Sequence, residues 1–178
     1  MRIVSGRYRG RIIHPPKNLR ARPTTDFAKE NLFNVLTNLV DFEDIDVLDL
    51  FAGTGSISYE FASRGAKSVT AVELNDTHYL FIKKSAAEYG FENFYTVKSN
   101  VFLYLKSCNR KFDVIFSDAP YDLDGSDEVI DLVFSRDLLS KEGILIFEHS
   151  FPAPDHTSHP NFHSLRTYGS VRFSLFTK

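Results

Sequence analysis

The stretch Val47-Leu48-Asp49-Leu50-Phe51-Ala52-Gly53-Thr54-Gly55 decides how the rest of the chain is read. An apolar run carries an acid at its third position. Two glycines then stand one residue apart, ahead of a segment with helical character from about Ser56 to Arg64. Strand, glycine turn and helix in that order make the ligand-binding corner of an open α/β sheet, where ligands lie beyond the carboxyl ends of the strands. Without Cβ atoms, Gly53 and Gly55 let the backbone turn sharply and lie close to a ligand.

Working outward, β-rich runs at Val47–Phe51, Val69–Glu73, Phe94–Lys98, Phe112–Ser117 and Ile144–Glu148 alternate with helical segments. The helices are expected at about Ser56–Arg64, Asn75–Tyr89, Val101–Ser107 and Ser126–Leu139. This alternation predicts a parallel sheet covered by helices on both faces. The end differs: Leu165–Tyr168, Gly169-Ser170 and Val171–Phe176 read as a hairpin with a two-residue turn. Ahead of the sheet, Thr24-Thr25-Asp26 offers capping oxygens for a helix with the stripe Leu32, Phe33, Leu36, Leu39 and Val40. Ile3–Ser5 and Arg11–His14 read as a short β-hairpin closed through Gly6–Gly10, followed by an extended linker from Pro15-Pro16 to Pro23. The expected organisation is a basic arm over residues 1–23 and one domain over 24–178.

Composition narrows the class. With 178 residues, 43% of them hydrophobic, the chain has material for one well-buried core. Its single cysteine, Cys108, excludes an internal disulfide framework and fits a reducing cytoplasm. No apolar run approaches the roughly 20 residues needed to cross a bilayer. Arg7, Arg9 and Arg11 break up any leader-like segment, so a cytoplasmic protein is expected. His156, His159 and His163 lie in a proline-bearing segment without cysteine partners. They read as a solvated loop, no metal is expected, and His149 is a candidate for the rim of a pocket.

The net charge of −2 conceals an asymmetry: residues 1–30 carry eight Lys/Arg against two acids, the remaining 148 carry 13 against 21. A basic arm on an acidic body suits a nucleic-acid partner. Arg7-Tyr8-Arg9-Gly10-Arg11 and Arg22 are the candidate RNA contacts, guanidinium groups interleaved with an aromatic ring.

Glu73 ends the second strand, 18 residues beyond Gly55, where an acid can accept both hydroxyl hydrogens of a ribose. A nicotinamide dinucleotide uses the same corner, but its fingerprint has a third glycine where Ser58 stands, and its pyrophosphate rests on the helix N-terminus. S-adenosylmethionine has no phosphate and fits the reduced glycine set. Asp49 is expected near its ammonium group, Glu73 on its ribose, and Asn100 and the Val101 amide at its adenine edge. Phe51 and Leu74 complete the donor set. Asn100 has a second reading as the cap of the following helix.

Asp118-Ala119-Pro120-Tyr121 follows the fourth strand. An exocyclic amine on a base is a poor nucleophile because its lone pair is delocalised into the ring. Two acceptors that bind both amino hydrogens favour a pyramidal nitrogen, and the Asp118 carboxylate and the Ala119 carbonyl supply two. Pro120 biases Ala119 to an extended shape, and Tyr121 offers a stacking face.

These residues carry a resemblance. The tetrapeptide resembles the Asp/Asn-Pro-Pro-Tyr/Phe motif of amino-directed methyltransferases, with Ala119 in place of the first proline. Arg2-Ile3-Val4-Ser5-Gly6-Arg7-Tyr8-Arg9-Gly10-Arg11, Arg22-Pro23-Thr24-Thr25-Asp26 and Lys29-Glu30-Asn31-Leu32-Phe33-Asn34 are similar to the RsmD family of 16S rRNA guanine-N2 methyltransferases. The resemblance implies a class I S-adenosylmethionine-dependent methyltransferase, Rossmann-like with a mixed seven-stranded sheet. It further implies methylation of one guanine in the loop of 16S helix 31, on the small ribosomal subunit or its assembly intermediate, leaving S-adenosylhomocysteine. Phe27 departs from the family, which usually has Arg there. The alternatives are a DNA adenine- or cytosine-amino methyltransferase, a protein glutamine methyltransferase and a non-catalytic RNA-binding assembly factor.

Overall fold

The structure, a computed structural model, describes residues 1–16, 19, 26–120, 123–149 and 156–178. Arg22, the capping pair Thr24-Thr25 and the aromatic Tyr121 lie outside the described residues. In chain order the elements are α1 (Asp26–Leu36), β1 (Asp46–Leu50), α2 (Ser56–Ser63), β2 (Ser68–Glu73), α3 (Asp76–Tyr89), β3 (Phe94–Lys98) and α4 (Val101–Ser107). Next come β4 (Phe112–Ser117), α5 (Glu128–Ser135), β5 (Leu139–His149), β6 (Phe162–Tyr168) and β7 (Val171–Thr177).

The seven strands form one sheet in the order β3-β2-β1-β4-β5-β7-β6. β1 to β5 are parallel, β7 runs antiparallel to β5, and β6 antiparallel to β7. The expected parallel sheet closed by a terminal hairpin is therefore present. Alternation along the strands feeds two layers. Leu48, Leu50, Ile115, Leu145 and Phe147 bury with Leu105 of α4 and Val129, Ile130 and Val133 of α5. Val47, Val114, Phe116 and Ile146 bury with Leu32, Phe33 and Leu36 of α1 and Ile57 and Phe61 of α2. Because chain order turns at β1, with β2 on one side and β4 on the other, the carboxyl ends of β1 and β4 flank the crevice where such sheets bind ligands.

Three expectations need correcting. In place of the helix expected over Ser126–Leu139, α5 covers only Glu128–Ser135. Asp137 takes a left-handed φ of 56° and the Leu138 amide donates to the Val133 carbonyl, a Schellman-type end. Leu138 and Leu139 are thereby turned into the core, and β5 begins at Leu139 rather than Ile144. In the arm, the two expected strands reduce to a single antiparallel bridge between Arg2 and Ile12. Backbone bonds still close the hairpin, with the Ile3 amide donating to the Arg11 carbonyl, Gly10 to Ile3 and Ile13 to Met1, each at 2.9 Å. The arm also bonds the body: Val4 and Ser5 amides donate to the Glu60 carboxylate at 2.8 and 3.0 Å, and the Arg7 amide to the Ser63 carbonyl at 2.7 Å. Gly6, at φ 81°, presses so close that a Cβ there would lie 1.9 Å from the Ser63 oxygen. Finally, His156 is not solvated. Its side chain is 8% exposed, bonds Asp127 at 3.1 Å and packs against Phe147 and Phe176.

Candidate active site

A cleft of about 740 Å³ opens at the carboxyl ends of β1, β2, β4 and β5, within the range of small-molecule sites. Phe51, Gly53, Glu73, Leu74, Asn100 and Val101 line one part of it, and Asp118, Ala119 and Pro120 another. Six of the eight residues expected to hold the donor and three of the four expected to hold the amine thus line one cavity.

Glu73 organises the donor half. Its two carboxylate oxygens accept the Gly53 amide at 2.8 Å and the Asn75 amide at 2.7 Å. A carboxylate has about four acceptor positions, so both oxygens keep capacity for a second donor such as a ribose hydroxyl. Asn100 caps α4, its side-chain oxygen accepting the Leu103 amide at 3.2 Å. Asn100 also lines the cleft, so the capping geometry and a ligand contact are compatible. Phe51 sits at φ 57°, a costly conformation for a large side chain, and packs edge-on against Phe102.

Asp49 and Gly55 are placed differently: neither lines the cleft. Strand alternation turns Asp49 away from Leu48 and Leu50 and onto the first turn of α2. There it accepts the Ser58 amide at 3.1 Å and the Ser58 hydroxyl. Burial pushes its carboxyl up to about 7, with the Ser58 bonds opposing and the nearby Asp118 charge adding to the rise. Gly55 caps α2 at φ 81°, and a Cβ there would stand 2.9 Å from the Tyr59 ring. Both residues shape the loop from behind.

In the acceptor half, the Asp118 amide reaches the Leu50 carbonyl at 3.5 Å, which holds the tetrapeptide against β1. Sequence reasoning does not find Asn75, His78, Leu123, Glu148 and Tyr168–Val171 as site residues, yet all of them line the cleft. Phe27 lines it too, and enters the sequence reading only as a departure from the family. Phe27 is 63% exposed, which only the structure shows. Glu148 is legible only as a strand-end acid. His149 does not reach the rim: it is buried, with Nε2 2.9 Å from the Ser174 hydroxyl. Among the described residues, no cluster of three His, Cys, Asp or Glu is arranged to hold a metal. No helix among them is long and apolar enough to cross a membrane.

Arg7, Arg9 and Arg11 are exposed, and Tyr8 is partly covered. Tyr8 packs edge-on against Phe91 at 4.6 Å, and the Arg11 guanidinium lies over the Tyr8 and Tyr89 rings at 4.9 and 5.4 Å. This cluster sits at the C-terminal ends of α2 and α3, about 12 Å of helix away from the glycine loop.

A parallel sheet with an antiparallel seventh strand inserted beside the fifth, and a cleft at the turning point, define a class I methyltransferase fold. The whole-chain match is to the family described as conserved hypothetical protein 95, over residues 1–177. The chain belongs to that family, whose relatives include proteins named ribosomal RNA small subunit methyltransferase D. The Escherichia coli (strain K12) protein of that name is 28% identical, covering 100% of this chain and 90% of its own. The Haemophilus influenzae protein is 32% identical, covering 83% and 78%. The solved Escherichia coli yhhF structure superimposes with a TM-score of 0.87 at 27% identity, covering 100% of this chain and 97% of that one.

Proposed function

We propose that this chain transfers a methyl group from S-adenosylmethionine to the exocyclic N2 of a guanine in the helix 31 loop of 16S rRNA. The observation that carries this is the meeting in one cleft of the Gly53–Glu73–Asn100 donor set with the Asp118-Ala119-Pro120 amine cradle. The names of the relatives support small-subunit rRNA as the substrate class. The basic arm supports a nucleic-acid substrate over a protein one, and residues 1–23 are proposed as the RNA-binding arm of a methyltransferase domain over 24–178.

The donor group, when bound, supplies an electrophilic methyl on a sulfonium. Glu73 would hold its ribose, the Val101 amide and Asn100 its adenine edge, and Gly53 the close backbone approach. On the acceptor side, Asp118 takes one amino hydrogen and the Ala119 carbonyl the other, which frees the nitrogen lone pair for in-line attack. Asp118 then stabilises the positive charge growing on nitrogen and accepts its proton. Positioning and charge stabilisation in a partly dry cleft are the main contributions. Tyr121 is proposed to stack on the base, and a base in a loop is the cheapest to unstack and present.

The test is incubation with labelled methyl donor and, separately, small subunits lacking the modification, naked 16S rRNA and duplex DNA. Label in the subunits is expected. Label in DNA alone, or in nothing, overturns the proposal.

A further inference from the structure

β4 and β5 lie side by side, with Ser117 paired to Phe147 on their last rung. One residue beyond come Asp118 and Glu148, and both line the cleft. Parallel strands stand about 4.8 Å apart, which makes the two acids neighbours. Period two also fixes their side. Phe116 and Ile146 bury with the α1/α2 layer, and Asp118 and Glu148 follow two residues later on each strand. Phe27, in the first turn of α1, lines the cleft from that layer. Glu148 is nearly buried, at 4% exposed. A single acid suffices to hold an amine, so the second one calls for a separate role.

The amine-bearing groups differ in what stands beside the amine. In guanine the amine stands between two ring nitrogens, N1, which carries a hydrogen, and N3, which presents a lone pair. In adenine (N1) and cytosine (N3) the neighbouring ring nitrogen presents a lone pair, and in a glutamine side chain the neighbour is a carbonyl oxygen. A carboxylate next to Asp118 can meet a ring donor beside the amine only in guanine, with the N1 edge turned towards it; the ring nitrogen of adenine or cytosine and the carbonyl of glutamine offer only an acceptor. We infer that Glu148 accepts the N1–H of a guanine whose N2 is held by Asp118 and Ala119, and so restricts the site to that base. This rests on the rRNA guanine reading above and deepens it. Sites that hydrogen-bond a substrate group discriminate strongly against analogues lacking it, because the buried partner is left unpaired.

The experiment uses small subunits reconstituted with 16S rRNA bearing guanine or 2-aminopurine at the methylated position. 2-Aminopurine keeps the amine but lacks both the N1 hydrogen and O6, so the N1 contact is read from the change of the ratio between wild type and the Glu148 variant. The wild-type protein should favour guanine by about 10- to 100-fold in kcat/KM. Glu148→Gln, whose amide presents either a donor or an acceptor, should bring the ratio to within about 3-fold and slow guanine methylation, with S-adenosylmethionine affinity unchanged. Glu148→Asp, which keeps the carboxylate, should retain the preference at a lower rate. A Glu148→Gln ratio equal to wild type, or a wild-type protein indifferent to the two bases, overturns this inference and leaves methyl transfer to RNA standing. A wild-type protein that labels neither base overturns both readings. If Glu148→Gln fails to fold, Glu148→Ala takes its place in the comparison with the same expected loss of preference.

Discussion

Asp118 owes its proposed role to its address: the end of β4, with its amide still reaching β1 and its side chain in the cleft. Asp118→Ala should abolish methyl transfer and leave donor affinity, measured by calorimetry, within a few-fold. A large loss of donor affinity would reassign the residue to the donor half. Asp49 differs in kind, because its carboxylate is buried beneath the loop and raised from 3.8 to about 7. Its folded-state value exceeds the unfolded one, so between about pH 4 and 7 the folded protein keeps a proton that the unfolded chain has lost. Its contribution to stability is full below that window and is lost as pH rises through 7. The slope is at most about 1.4 kcal/mol per pH unit. In urea titrations, Asp49→Asn should flatten the decline of stability between about pH 4 and 7. A variant with the wild-type pH profile would show that another group controls it.

At the scale of elements, Glu60 on α2 fastens the arm. Its carboxylate is fully buried and accepts the Val4 and Ser5 amides and Arg64 Nε, while the buried Lys29 ammonium lies 3.9 Å away. Lys29 in turn donates to the Arg2 carbonyl at 2.5 Å. Glu60→Gln replaces one acceptor oxygen by a donor facing other donors and leaves Lys29 without its closest buried counter-charge. The expected cost is about 3 kcal/mol in denaturant unfolding, with faster proteolysis within residues 1–16. Unchanged proteolysis would mean the arm is held by its apolar contacts, Ile3 and Ile13, alone. This fastening is not legible in the sequence, because Glu60 reads as one acid in a helix and its partners lie 55 residues away. The sheet is legible because β3 and β4 carry uninterrupted β-rich runs bounded by turn residues, and both strands fall where expected. The start of β5 is not: Ser140-Lys141-Glu142-Gly143 looks like a turn, and it falls in the register break between Leu139, paired with Phe112, and Ile144, paired with Val114.

Across the whole molecule, the basic cluster and the cleft lie toward opposite ends of α2, about 12 Å of helix apart. Replacing exposed Arg7 and Arg9 by Ala should weaken RNA binding and lower the slope of log affinity against log salt by about 0.7–0.9 for each phosphate no longer neutralised. An unchanged slope would move the RNA surface elsewhere. The same separation limits what sequence can tell. The motifs at Gly53–Gly55, Glu73 and Asp118 are local and readable, whereas the neighbourhood of Glu148, Phe27 and the Tyr168–Val171 turn arises only when β5, α1 and the terminal hairpin converge. The most direct measurement is mass spectrometry of nucleosides from small subunits lacking the modification, treated with this protein and methyl donor. The account predicts N2-methylguanosine, one per subunit, within the helix 31 loop. Methyl groups on adenine or cytosine, or none at all, would contradict it.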